Sequence, residues 1–512
     1  MTGKKVLCVV IDQFRADCLQ GALESELALP NLRALAQDSV SFNQHYTVVT
    51  PCGPSRASLL TGLYAMNHRS VRNGTPLQSH YATLGSELRK CGYEPLLFGY
   101  TDASADPFGK HPNDPDLKTY EGVAPGFSEI VQMRLETSSS WVGYLKGKGY
   151  DLPDNYWNLY AAIGEDGTRE SAQICDPVLY AAEDSDTAFL TNRTIEELSA
   201  RENQDWFALV TYIRPHPPLA APHPYNKMYD PKGLSLPVRQ NHLNDHMDCH
   251  PYFAANYAEP GNFHLYVGFD GNQKAICDED VAALRAVYFG LATEVDHHIG
   301  RLIDYLHKSG QFDDTMIIVT ADHGEHLGDH YMWGKHGPFD SALHIPLIIR
   351  DPRGRSHAAK SIDHFTESID VAPTVLDWLG GEAPLAFNGR SLLPFVSAEP
   401  PANWRNHIFA EVDFSDPIHP SAAQKFLQLD QFQANYAVLR DERFKYVHFN
   451  GGLPPLLYDI KNDPQELNNL AGLDEYAADV SRLSRLMLDH RMTHADHATS
   501  RMKLMSTGVQ ST

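Results

Sequence analysis

The apolar positions of the chain fall in short runs separated by helical stretches. KVLCVVID (residues 5–12) is apolar at six consecutive positions between charged ones, the pattern of a strand buried on both faces. Helical and strand-like pieces then alternate: PNLRALAQD, SRASLLTGLY, TLGSELRKCGY and EPLLFGYTD. Further on come WFALVTYIRPHPP, an amphipathic helix from about Val281 to His307, and TMIIVTADHG. The alternation predicts an α/β fold with a mostly parallel central sheet flanked by helices. In such sheets ligands lie beyond the carboxyl ends of the strands. Asp12-Gln13, Tyr100-Thr101-Asp102, His216 and Asp322-His323 each follow a strand-like run, so one crevice is expected to collect them.

Between Pro215 and about Cys277 the periodicity stops and Pro, His, Asn and Tyr dominate. A catalytic domain over residues 1–393 is therefore expected to carry an irregular lid insertion at about 215–280. After Leu393 the alternation fades. NYAVLRDERFKYVHF suggests a hairpin and the stretch from Asp479 to Leu488 a helix. Residues 394–512 are thus expected to form a smaller α+β domain with antiparallel strands and a terminal helix. The tail RMKLMSTGVQST carries no readable pattern.

Composition narrows the classes. At 512 residues and 42% apolar content the chain can bury a large core. A net charge of −23 excludes nucleic-acid and acidic-membrane partners, which need a basic face. A small anionic substrate in a locally positive pocket remains. The first apolar run is too short for a signal-peptide core and ends in Asp12. No run of about 18 apolar residues occurs to span a membrane. Seven cysteines, odd in number and scattered, fit reduced thiols, so a cytoplasmic location is expected.

TPCGPSRASLLTG (residues 50–62) concentrates the candidate chemistry. The pattern sets Cys52 just before a helix N-terminus, with Pro54 and Ser55 in the first turn and Arg56 one turn in. That is an anion site, and it is expected to depress the pKa of the thiol. A thiol that attacks phosphorus directly pairs with an arginine six positions on, but position 58 is Ser. An inert packed cysteine is the competing reading. Asp12-Gln13 and Asp322-His323 offer two carboxylates, an amide oxygen and an imidazole. This mixed set suits Mn²⁺ better than Ca²⁺, although an Asp after a strand also caps turns. HLNDHMDCHP supplies His242, His246, Cys249 and His250 at zinc-like spacing. With one thiol among them, a histidine-rich lid over an anion pocket explains the composition as well. His326 and His330 are read in the same way.

CGPSRASLLTG, together with DQ at 12–13 and ADHG at 321–324, resembles the signature of the type I sulfatase family within the alkaline phosphatase superfamily. GLYAMNHRSVRNGTPL, GYTD, RPHPP, TADHGEHLGDH, WGKHG, SIDVAPTVLDWLGG and LYDIKNDPQELNNLA extend the resemblance over nearly the whole chain. They place it nearest the phosphonate monoester hydrolase and arylsulfatase branch. The resemblance implies that Cys52 is oxidised to formylglycine by a formylglycine-generating enzyme, a transient partner. The hydrated aldehyde then attacks sulfur or phosphorus, and its second hydroxyl drives release by C–O cleavage. Catalytic roles are implied for Cys52, Arg56, His216 and Lys335. Asp12, Gln13, Asp322 and His323 are implied to hold one divalent metal, Mn²⁺ favoured and Ca²⁺ the alternative. Asn73, Tyr100 and Thr101 are implied to contact substrate, with Asp102 standing where a hydroxyl is expected.

The implied activity is hydrolysis of sulfate monoesters and of phosphonate monoesters or phosphodiesters. Ser55 matches the sulfatases, whereas phosphonate hydrolases commonly carry Ala there. A homo-oligomer, dimer or tetramer, is expected. Two other classes stay open: a phosphotransferase or mutase of the same superfamily, and a non-catalytic anion-binding relative.

Overall fold

The computed structural model describes residues 4–261, 264–353, 359–397 and 401–511. Eight strands make the central sheet: β1 (Lys5–Ile11), β2 (Val40–Phe42), β3 (Pro95–Gly99), β4 (Ser128–Gln132), β5 (Trp206–Tyr212), β6 (Thr315–Ala321), β7 (Leu347–Arg350) and β8 (Lys360–Ile362). They run in the order β8-β2-β7-β6-β1-β5-β3-β4. Every pairing is parallel except the two that β7 makes. This is the mostly parallel α/β sheet expected from the alternating pattern. β1 lies between β5 and β6 and pairs with both along its whole length. Val6, Cys8 and Val10 enter the core on one face, and Leu7, Val9 and Ile11 the core on the other. The unbroken apolar run is what such a position requires.

The C-terminal ends of β1, β3, β5 and β6 deliver Asp12, Tyr100, the 213–218 turn and Asp322 to one edge of the sheet. Beside that edge lies α1 (Cys52–Thr61), every residue of which is buried. Cys52 is its first residue, one position further into the helix than the pattern suggested, with Pro51 as the cap. α1 ends at Gly62, whose φ of 63° suits a residue without Cβ. A Cβ there would stand 2.6 Å from the Phe387 ring. Two further helices pack over the sheet, α2 (Asp186–Ser199) and the long α3 (Asp278–Lys308).

The C-terminal region adds the antiparallel strands β9 (Ile408–Asp413), β10 (Asn435–Arg440), β11 (Phe444–Phe449) and β12 (Leu456–Asp459), then α4 (Ala477–His494). Val49–Thr50 joins this sheet as a parallel neighbour of β9. The chain therefore enters α1 directly from the C-terminal sheet, and both halves of the molecule set the position of Cys52.

The stretch between Pro215 and Cys277 contains short helices at Leu243–Cys249 and Pro251–Ala255. Tyr252 and Phe253 are buried against the C-terminal sheet, where Tyr252 meets Tyr436 and Phe449 edge-on or tilted. The polar-looking tail pairs Met502–Met505 with Gly508–Ser511 as a hairpin. All seven cysteines are unpaired. Among the described residues, no helix is long and apolar enough to cross a membrane.

Candidate active site

The turn after β1 forces Gln13 into the left-handed region, φ 63°, an uncommon conformation for a residue with a side chain. Two bonds hold it there. Its N–H donates to Asp322 Oδ1 at 3.1 Å, and its carbonyl accepts from the Tyr288 hydroxyl of α3 at 2.7 Å. This brings Asp12-Gln13 against Asp322-His323 from the next strand. Asp12, Cys52, Asp322 and His323 each offer one ligand atom, and these atoms all lie within 4.8 Å of one another. His323 Nδ1 faces the Gly324 carbonyl at 3.0 Å, which fixes its proton there and leaves Nε2 as an acceptor 3.1 Å from Cys52 Sγ.

Arg56 crosses beneath the cluster. Its Nε donates to Asp322 Oδ2 at 3.0 Å and its Nη2 to Asp12 Oδ2 at 3.2 Å, while the guanidinium lies 4.1 Å over the Tyr100 ring. The Tyr100 hydroxyl donates to Asp12 and accepts from Arg56 Nη2 at 3.0 Å. Tyr100 thus braces both charges. Lys335 reaches in from the far side and donates to Gln13 Oε1 at 2.6 Å and to His216 Nε2 at 3.0 Å. The other His216 nitrogen faces the Pro217 carbonyl at 2.5 Å, so His216 is neutral with Nε2 as acceptor. Asn73 Oδ1 accepts from the Gly53 N–H at 2.9 Å, at the mouth of α1.

Electrostatics separates these groups. Burial pushes the Asp12 carboxyl up, and Asp322 adds to it. Burial acts the same way on Asp322, but His323 and Arg56 outweigh it and hold that carboxyl down. Burial and then Lys335 push His216 well below the usual imidazole range. Against its desolvation, Lys335 is held cationic by the acidic groups around it, Asp12 and Asp322 among them. Two carboxylates repelling one another in a dry site, beside an amide oxygen and an acceptor imidazole nitrogen, are a donor set that a divalent cation fits.

Two expectations need correction. The Cys52 thiol is not depressed. Burial, then Asp12, drives it well above its ordinary value, because Asp12 and Asp322 already engage Arg56. Thr101 does not turn its hydroxyl to the cluster. The hydroxyl donates to the Gly122 carbonyl at 2.9 Å and accepts the Ala124 N–H at 2.8 Å. Asp102 faces Arg56 instead, at 3.9 Å, with its second oxygen unpartnered.

One residue escaped the sequence reading. Glu325 accepts from the Gln13 amide and, through Oε1, from Leu327 N at 3.1 Å and Gly334 N at 2.6 Å. It thereby turns the Gln13 oxygen toward Lys335 and the cluster. Its place directly after DHG was the available signal.

Among the described residues, the zinc-like spacing gathers no ligand set. His250 caps the helix at 251 and bonds the Pro454 carbonyl, and His246 stacks on Phe253. His326 bonds Ser341 and the Gly337 N–H, and His330 stacks on Phe339 at 3.6 Å.

Four strand ends and one helix mouth that assemble buried carboxylates, an imidazole, a cysteine and two cations agree with comparison against known families. The sulfatase family model matches residues 4–381, and the chain belongs to that family. A second model, N-sulphoglucosamine sulphohydrolase, C-terminal, matches residues 328–493. The chain is a hydrolase of the sulfatase and phosphonate monoester hydrolase group. It is 38% identical to the multifunctional alkaline phosphatase superfamily protein PehA of Trinickia caryophylli, covering 99% of both chains. It is 25% identical to an arylsulfatase of Clostridium perfringens, covering 98% of this chain and 97% of the relative. The solved structure of a phosphonate monoester hydrolase from Silicibacter pomeroyi superposes with a TM-score of 0.94 at 50% identity, covering 99% of each chain.

Proposed function

We propose that this protein is a metal-dependent hydrolase of sulfate monoesters and of phosphonate monoesters or phosphodiesters, with formylglycine derived from Cys52 as its nucleophile. The observation that carries the reading is the convergence of Asp12, Cys52, Asp322 and His323 within 4.8 Å, with Arg56 bonded to Asp12 and Asp322 and Lys335 to Gln13. A divalent cation, Mn²⁺ favoured over Ca²⁺, would be held by Asp12, Gln13, Asp322 and His323 and would supply charge neutralisation and Lewis acidity. Formylglycine would supply, as its hydrate, one hydroxyl for attack and a second for release.

The remaining chemistry belongs to the chain. Arg56 fixes the two carboxylates and, one turn below residue 52, supports negative charge at the helix mouth. Lys335 places an ammonium beside Cys52, where the non-bridging oxygens of a transferring sulfuryl or phosphoryl group would lie. His216 Nε2 accepts a hydrogen bond from the Lys335 ammonium and orients it, so the proton available to a leaving oxygen is the one Lys335 holds. Asn73, which is exposed and tied to Gly53, is placed to meet substrate from the solvent side.

A formylglycine-generating enzyme is the transient partner this reading requires. Reduced cysteines support a cytoplasmic setting. A dimer or tetramer of this chain is the expected assembly, supported by the exposed Leu504 and Val509 of the terminal hairpin. Comparing kcat/KM for an aryl sulfate, an aryl phosphonate monoester and a phosphodiester tests the reading. Turnover of all three is expected, and turnover of none would overturn it.

A further inference from the structure

α1 begins at Cys52 and, being ten residues long, ends about 15 Å away. Beyond that far end, Tyr64, the 385–390 segment, the 404–407 segment and α4 enclose a cavity of about 500 Å³. Its wall is cationic in a protein of net charge −23: Arg390, Arg405, Arg501, His407, His490 and His494 all line it. Arg405 is compensated by Asp370 and by Glu367 at 3.4 Å. The other two arginines are not. Arg390 lies 4.3 Å over the Trp404 ring and donates to the Asn403 carbonyl at 2.9 Å. Among the described residues, neither the Arg390 nor the Arg501 guanidinium pairs with a carboxylate, although the Arg390 backbone N–H donates to Asp370 Oδ1 at 2.9 Å.

The histidines beside them are held neutral, by burial first and by the neighbouring cations. His490 is 95% buried: its exposure is 5%. Its Nδ1 meets His407 Nε2 at 2.9 Å, and its Nε2 has no partner. Burial, then His494 and Arg405, pushes His407 down to about 4, as expected where positive potential is unbalanced. Two guanidinium groups without a carboxylate on one cavity wall ask for an acceptor with several oxygens.

We propose that this cavity is a second anion site, separate from the Cys52 centre, that binds a small molecule through a phosphate or sulfate group held by Arg390 and Arg501. Trp404, Tyr64 and Phe387 give the rest of such a molecule an aromatic wall.

The test is calorimetric titration of the full-length enzyme with inorganic phosphate and, separately, with sulfate. The same titrations follow on the Arg390→Gln/Arg501→Gln double variant. Both arginines are exposed, and neither touches the Cys52 cluster. The wild type should bind two anions per chain and the double variant one, while kcat/KM and the Ki of phosphate as a competitive inhibitor stay within about twofold. The single variant Arg501→Gln should weaken the second site by about tenfold or more. Binding of either anion at the second site supports the proposal. One site in both proteins, two sites in both, or a Ki that shifts with the double variant would overturn it. A fall of kcat/KM in the double variant would overturn the separation of the two sites, whereas absence of turnover in the wild type with the two-to-one change intact would count against the hydrolase reading alone.

Discussion

Cys52 sits in a ring of charge that keeps its thiol protonated, since burial and Asp12 outweigh Lys335. A residue so placed is a poor nucleophile as cysteine and a well-positioned one once its sulfur is replaced by oxygen. Lys335 is the cation this chemistry leans on, since two carboxylates already hold Arg56. Lys335→Ala is expected to lower kcat about 10²–10³-fold with little change in thermal stability, checked by steady-state kinetics at saturating Mn²⁺. Asp12, Gln13, Asp322 and His323 were legible because short polar pairs after apolar runs mark strand ends. Glu325 was not, because its role depends on which way a side chain turns. Adjacency to a motif misled for Thr101, whose hydroxyl was expected at the substrate and instead ties two backbone segments together.

At the scale of elements, α1 is held by close approach rather than by an amphipathic stripe, and it is buried on every side. Gly53 makes such an approach at the active-site end. A Cβ there would come within 3.1 Å of both Asn73 Oδ1 and the Asp102 carbonyl. Gly53→Ala is therefore expected to displace Asn73 and lower kcat/KM by roughly ten- to a hundredfold while the protein stays folded. Kinetics beside a melting curve would check both halves of that statement. The central strands were readable from their apolar runs, and α3 (Asp278–Lys308) from its periodicity. Val49–Thr50 was not, because two residues carry no pattern and their partner lies some 360 positions on. That short strand nevertheless sets the entry into α1.

For the molecule as a whole, the sheet order brings together residues separated by over 300 positions, and the buried charges this requires make stability depend on pH. Glu294 of α3 is an example outside the catalytic cluster. Burial, then Asp186, pushes its carboxyl up to about 8. The folded chain keeps this proton at pH values where the unfolded chain has released it. The stability it protects is therefore complete below the ordinary carboxyl pKa and declines as pH rises toward about 8. Glu294→Gln is expected to melt above the wild type at pH 8.5, with the gap closing by pH 5, as read by scanning fluorimetry. The most direct measurement of the central claim is the intact mass of the purified chain together with its specific activity across preparations of differing conversion. The account predicts a species about 18 Da lighter at Cys52, its hydrate aside, with hydrolysis of the aryl sulfate rising in proportion to that fraction. A fully active preparation in which Cys52 keeps its sulfur would contradict it.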